Sequence, residues 1–426
     1  MTDHDLTAAK LLRQAFEAAV AAVDPRRCLP AFLPAPPSGR TVVIGAGKAA
    51  AAMALAVEEN WPGLVSGLVV TPPGHGVATS WIKVIEASHP IPDAAGLAAA
   101  RRIIEMVADL QPNDLVLALM SGGGSSLLAL PAPGIRLEDK QSIGRALLKS
   151  GASIQEFNCV RKHLSAIKGG RLALAAAPAK VVTLLISDVP GDDPSVIASG
   201  PTVPDPTTLA DARAVLEKYR VDLPSGVKPF LLDPKNETPK PGHACFEKNE
   251  VHLIAAAQDA LNAAAAVARE HGVTPFVLDT NLQGEARAVA RSQAEIIRQI
   301  SELGQPVRSP CLLLSGGETS VTVRGSGRGG RNTEFLLALA IALDENSDVH
   351  AIACDTDGVD GTEGNAGALI GPDTLARARA LGVNATAELE ANNAFTFFEA
   401  LGDLVVTGPT RTNVSDFRAL LHRRTR

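Results

Sequence analysis

A β-branched run, Thr41-Val42-Val43-Ile44, passes through Gly45-Ala46-Gly47-Lys48 into an Ala-rich stretch from Ala49 to Glu59. Strand, glycine turn and helix in that order begin a doubly wound α/β sheet. The pattern recurs along the first half. Strands are predicted at Gly67–Val70, Lys83–Glu86, Asp114–Met120 and Lys180–Ile186, with helices at Asp93–Leu110, Leu137–Ser150 and Ile154–Leu164. Nearly continuous apolar strands alternating with helices predict a parallel sheet buried on both faces. Aromatic residues make up only 3% of the chain, so the core is built from Ala, Leu, Val and Ile.

At roughly 100–200 residues per domain, a chain of this length holds two domains. A helix over Thr7–Val23 leads into the first. Between Leu223 and Asn249 the texture changes to prolines and lysines with little periodicity. The expected division is therefore 1–235 and 236–426. Val251–Ala255 is read as opening a second αβ series, with further strands at Thr274–Leu278, Cys311–Leu314, Val321–Arg324 and His350–Cys354. A net charge of −6, with no basic and aromatic stripe, argues against a nucleic-acid partner. The Ala-rich stretches are too often broken by Gly, Pro or charge to span a bilayer. Five scattered cysteines read as reduced thiols. The acidic start Met1-Thr2-Asp3-His4-Asp5 is no signal peptide, so a cytoplasmic protein is expected.

Several strand ends carry chemistry. Gly45 and Gly47 allow a tight turn that aims backbone N–H groups at an anion, as in dinucleotide-binding proteins. A nicotinamide reading needs an acidic residue about twenty positions on. The window Gly67-Leu68-Val69-Val70-Thr71 has none, and Lys48 is unusual inside such a turn. Ser121-Gly122-Gly123-Gly124-Ser125-Ser126 follows a buried strand, and three glycines let the backbone form an N–H nest for phosphate or carboxylate. GxSxG spacing is absent, which disfavours an elbow-type hydrolase. Ser187-Asp188-Val189-Pro190-Gly191-Asp192-Asp193 sets three carboxylates past another strand, suited to Mg²⁺ or to proton abstraction from a hydroxyl. Turn chemistry is the plainer use of any one of them.

The second half repeats the theme. Ser315-Gly316-Gly317-Glu318-Thr319 is a glycine turn after an apolar run, and Arg324-Gly325-Ser326-Gly327-Arg328-Gly329-Gly330-Arg331 places three guanidinium groups on a glycine-rich loop. Such groups suit a phosphoryl group, with nucleic acid as the weaker alternative. Asp355-Thr356-Asp357-Gly358-Val359-Asp360 offers further carboxylates, although the distal Glu of an EF-hand is not in place. Thr410 and Asn413, in Thr407-Gly408-Pro409-Thr410-Arg411-Thr412-Asn413, supply polar donors suited to a ligand rim. His75 and His89 read as structural residues, with no spacing that suggests a metal site.

In order, the motifs are GAGKAA, PxGHG, SHPxPD, SGGGSSLL, Asn158–Ser165 with Lys168-Gly169-Gly170, SDVPGDDP, SGGETSVTVRGSGRGGRN, DTDGVDGT and TGPTRTNV. The chain resembles the glycerate 2-kinase family, whose members also carry the name hydroxypyruvate reductase, over nearly its whole length. The resemblance implies a Rossmann-like N-terminal domain, a C-terminal α/β domain with a MOFRL segment at about 308–420, and an active site in a cleft between them. It implies ATP and Mg²⁺ as cofactors and transfer of the γ-phosphoryl group to the 2-hydroxyl of D-glycerate. The family's active-site lysine falls on Lys48 and its arginine on Arg331. Expected around them are Asp188 as base, Gly45, Gly47, Ser121–Ser126, Gly316, Gly317, Glu318, Arg328, Thr410 and Asn413 as substrate or phosphate ligands, and Asp192, Asp355 and Asp357 at the metal. An NAD(P)H-dependent hydroxypyruvate reductase is the alternative, and a non-catalytic sugar-acid sensor a further one. Partners are small molecules, with a homodimer left open.

Overall fold

The computed structural model describes residues 3–343 and 348–423, so Met1 and Thr2 of the N-terminal stretch lie outside the described residues. The chain forms two compact units, Pro25–Ala255 and a second made of Met1–Asp24 with Ala256–Arg426.

The first unit is built on six parallel strands: β1 (Thr41–Ala46), β2 (Val65–Thr71), β3 (Ile82–Glu86), β4 (Leu115–Met120), β5 (Lys180–Ile186) and β6 (Glu250–Ala255). Their order is β3-β2-β1-β4-β5-β6. The chain winds outward from β1 to β3, then returns to lay β4 beside β1 and winds the other way. Ile44 accordingly lies between Leu68 and Ala118. Every residue of β1 and β4 is buried, as their apolar runs predict. The helix Ala50–Asn60 buries Ala50–Ala54, Ala56 and Val57, so small side chains let it settle onto the sheet. Asp93 caps the helix Ala94–Val107, its side chain accepting the Gly96 amide at 2.9 Å.

The division between units falls elsewhere than at 235/236. The Pro-rich segment after Leu223 folds back onto the first unit, and β6 is that unit's edge strand. Thr238 donates to Asp205 at 3.1 Å, and Asp205 pairs with the buried Lys162 at 2.6 Å. Glu237 accepts the Leu209 amide at 2.9 Å and pairs with Lys240 at 2.8 Å. Burial alone would raise the Glu237 carboxyl, but hydrogen bonds from Lys240, the Leu209 and Thr238 amides and His163 outweigh it and hold it at about 2. The folded chain therefore binds fewer protons here than the unfolded one. This contribution to stability is present above pH 4.5 and is lost as pH falls toward 2. Urea midpoints are expected to fall between pH 5 and pH 3, and to fall less in Glu237→Gln.

The second unit carries a mixed sheet rather than a continued parallel series. Its strands are β7 (Thr274–Asp279), β9 (Cys311–Ser315), β11 (Val349–Asp355), β12 (Gly367–Ile370), β13 (Leu404–Val405) and β14 (Asp416–His422), in the order β13-β12-β11-β14-β9-β7. Within this sheet, among the described residues, only β7 and β9 pair in parallel. The strand expected at Val321–Arg324 is absent. The Asn392 side chain takes the Arg324 and Gly325 amides at 2.7 and 2.9 Å, and only Thr319–Ser320 (β10) pairs, with Gly284–Glu285 (β8). The helix Asp3–Ala22 belongs to this unit, packing against the helix Ala257–Glu270. Among the described residues, no helix is long and apolar enough to cross a membrane.

Candidate functional site

In the first unit the winding reverses between β1 and β4, and open α/β sheets bind ligands beyond the strand ends at such a point. The structure brings Gly45, Gly47 and Lys48 together there with Ser121–Ser126. Gly45 and Gly47 are needed for close approach. A Cβ at Gly45 would stand 2.3 Å from the Leu119 carbonyl, and one at Gly47, where φ is +139°, 2.1 Å from Ser121 Oγ. The amides that would cradle a pyrophosphate are already used: Lys48 N–H donates to the Gly122 carbonyl at 2.8 Å, and Ala49 N–H to Ser121 Oγ at 3.0 Å.

The second turn is free where the first is not. Ser121, Gly124 and Ser126 amides donate to Ala46, Ser121 and Gly123 carbonyls, while those of Gly122 and Gly123 donate to nothing among the described residues. Gly123 has φ +81°, and a Cβ there would lie 3.0 Å from His89 Nε2 and 3.5 Å from Lys48 Cγ. The lysine side chain and one histidine thus flank an open pair of amides. His75 Nδ1 lies 3.3 Å from the Lys48 carbonyl and holds that turn from below. The sequence reading left both histidines out of the site; their signal was position, His75 lying just past the end of β2 and His89 just past the end of β3. Ser125 Oγ is 2.8 Å from Ser199 Oγ, and Ser199 reaches Asn158 Oδ1 at 3.4 Å. Asn158 and Ser199 were also missed as site residues.

Asp188 follows β5; it and Asp192, the latter at φ +53°, are both half-buried. Among the described residues the Asp192 carboxylate has no hydrogen-bond or ion-pair partner, which leaves it open to a hard cation.

The second unit gathers its own charged cluster. Arg331 opens the helix Arg331–Leu343, and its guanidinium meets Asp416 at 2.8 Å, Asp355 at 2.6 Å and Glu318 at 3.0 Å. Burial works against the charge, but Asp416, Asp355 and Glu318 outweigh it and raise its pKa above the usual arginine value. Asp416 also holds the fully buried Arg418 at 2.5 Å and accepts from Asn332 at 2.8 Å. Asp360 caps the same helix, taking the Asn332 and Thr333 amides at 2.9 Å each.

Other expected ligands in this unit have structural partners. Gly316 donates to the Asp279 carbonyl at 2.8 Å, and Gly317, at φ +94°, leaves no room for a Cβ against Leu282. Arg328 pairs with Glu363 at 2.5 Å and stacks over Phe395. Thr410 ties its loop to the Thr356 carbonyl at 2.5 Å, and Asn413 accepts the Ser415 amide at 3.1 Å. Asp355 has one oxygen on Arg331 and the other on the Asp357 amide at 3.0 Å, and Asp357 accepts from Val359 at 2.8 Å. Among the described residues no three His, Cys, Asp or Glu side chains are grouped to hold a metal ion.

Comparison with known proteins adds to this geometry. Residues 11–232 match a family described as a domain of unknown function, DUF4147, and residues 311–416 match the MOFRL family. A protein of Agrobacterium vitis provisionally named hydroxypyruvate reductase is 54% identical over 99% of this chain and 96% of its own. The D-glycerate 2-kinase of Thermotoga maritima is 42% identical over 96% of each. A crystal structure of glycerate kinase from Thermotoga maritima matches with a TM-score of 0.89 at 40% identity, covering 98% of this chain and 99% of that one.

Proposed function

The chain belongs to the glycerate 2-kinase family that joins DUF4147 to MOFRL, and we propose that it phosphorylates the 2-hydroxyl of D-glycerate from ATP, giving 2-phospho-D-glycerate. One observation supports this over nicotinamide chemistry. At the β1–β4 switch point the Lys48 and Ala49 amides are spent on the β4 turn, while Gly122 and Gly123 offer free amides beside the Lys48 side chain. That arrangement suits a compact oxyanion more than a dinucleotide. The strand β2 also ends in Thr71-Pro72-Pro73, with no acid for a ribose.

Phosphoryl transfer demands positioning and charge neutralisation more than covalent help from the protein. The 2-hydroxyl oxygen attacks the γ-phosphorus, the bond to the β-phosphate bridging oxygen breaks, ADP leaves, and the hydroxyl proton passes to a base. Lys48 and the Gly122 and Gly123 amides bind the oxyanion. Asp188 takes the proton. Arg331 retains one N–H on each terminal nitrogen beyond its three carboxylates and is 21% exposed, so it serves as a charge stabiliser at that tip. Mg²⁺ bound to nucleotide phosphates needs only one or two protein carboxylates. The open Asp192 fits that need, whereas Asp355 and Asp357 are already engaged. The ion would neutralise phosphate charge.

Purified protein supplied with ATP, Mg²⁺ and D-glycerate should release ADP in step with glycerate consumption. Absence of ADP release, with NAD(P)H oxidised on hydroxypyruvate instead, would overturn the proposal.

A further inference from the structure

Behind the Ser121–Ser126 turn lies a cavity of about 170 Å³. Ser125 and Ser126 form part of its wall, and apolar side chains such as Leu147 and Phe157 form much of the rest. Lys140, Arg161 and Lys168 line it, together with the exposed Arg145, and no Asp or Glu does. Lys140 Nζ is buried without a hydrogen-bond partner. Lys168 is 1% exposed, and its Nζ meets only the Ala198 carbonyl, at 3.4 Å. Arg161 lies 4.2 Å over the Phe157 ring and donates to Asn158 Oδ1 at 3.3 Å.

Two buried ammonium groups beside a half-buried guanidinium, with no acidic side chain lining the cavity, are unfavourable in the empty protein. Burial, and then the neighbouring arginines, bring Lys140 down to about 7; burial brings Arg161 to about 10. The backbone is strained at the same place. Ala198 and Ser199 take φ +52° and +62°, a costly conformation for side-chain-bearing residues. It aims the Ala198 carbonyl at Lys168 and sets Ser199 Oγ against Ser125 Oγ.

We infer that this cavity receives the substrate's carboxylate, with Lys140, Arg161 and Lys168 as its counter-charges and Ser125 as an orienting hydroxyl. The identity of the acid rests on the kinase reading. Gly123, two residues before Ser125, stands against Lys48, so an acid anchored by its carboxylate keeps its hydroxyl-bearing carbons at the turn. A neutral polyol of the same size finds three unpaired cations and is refused.

The test compares wild type, Lys140→Met and Lys140→Arg in calorimetric titrations with D-glycerate, glycerol and inorganic phosphate without nucleotide, and in steady-state kinetics. Lys140→Met should weaken D-glycerate binding and raise its KM roughly tenfold to a hundredfold, as loss of one buried charge-assisted hydrogen bond does. The KM for ATP should stay within about twofold, well below that loss. Its thermal midpoint should hold or rise, because an unpaired buried charge has gone, and Lys140→Arg should keep most of the affinity. Glycerol should not bind the wild type. Unchanged D-glycerate affinity in Lys140→Met, a KM change confined to ATP, or phosphate binding that leaves D-glycerate binding untouched would overturn the inference. Because binding is read without turnover, a wild type that binds D-glycerate through Lys140 but makes no phosphoglycerate would sink only the kinase reading.

Discussion

Replacement of Lys48 by alanine is expected to lower turnover roughly 100- to 1000-fold, the usual cost of removing one preorganised charge partner from a developing oxyanion. The fold should survive. The backbone ties of this residue, its amide to Gly122 and its carbonyl beside His75 Nδ1, do not involve the side chain. The thermal midpoint of Lys48→Ala should therefore stay near that of the wild type while single-turnover rates collapse. Lys48→Arg should restore little, because a planar fork does not reproduce a compact ammonium. Near-normal single-turnover rates in Lys48→Ala would remove this residue from the chemistry.

Arg331→Ala is expected to behave differently, losing stability as well as activity. Asp355 and Asp416 are almost wholly buried, and the guanidinium is bonded to both. Removing one partner of a buried ion pair typically costs about 3–5 kcal/mol, because the remaining charge is left uncompensated. Asp416 keeps Arg418 and Asn332, whereas Asp355 loses the guanidinium that holds one of its two oxygens. Adding Asp355→Asn to Arg331→Ala should then recover part of the stability, a coupling that chemical denaturation of the four variants measures. A midpoint unchanged in Arg331→Ala would contradict the cluster as described.

The first unit was largely legible in sequence because its two central strands are uninterrupted apolar runs leading into glycine turns. Thr41–Ala46 and Leu115–Met120 need no charge to fold, and both lie where their patterns placed them. Reading failed where charged residues pair inside the fold. The strand Asp416–His422 is buried throughout, yet Asp416 and Arg418 break its apolar run; they satisfy each other. The segment after Leu223 looked like a linker for the same reason. Its Glu237 and Lys240 are partners of residues far back in the chain, such as Leu209 and Thr207.

The candidate site shows the same limit. The glycine turns announced themselves, but which amides stay free depends on how β1 and β4 lie together, and spacing does not record that. Nothing in the sequence sets Lys140, between Asp139 and Gln141, apart from an exposed helical lysine. Only its helix packing against Ile154–His163 buries its ammonium group. Arg331, expected at the phosphoryl group, also meets three carboxylates that its spacing does not record.

The most direct test of the whole account is to incubate the protein with D-glycerate, ATP and Mg²⁺ and locate the new phosphoryl group by phosphorus–proton NMR coupling. The account predicts coupling to the methine proton of carbon 2, that is, 2-phosphoglycerate. Coupling to the carbon 3 methylene, or no phosphorylated acid at all, would contradict it.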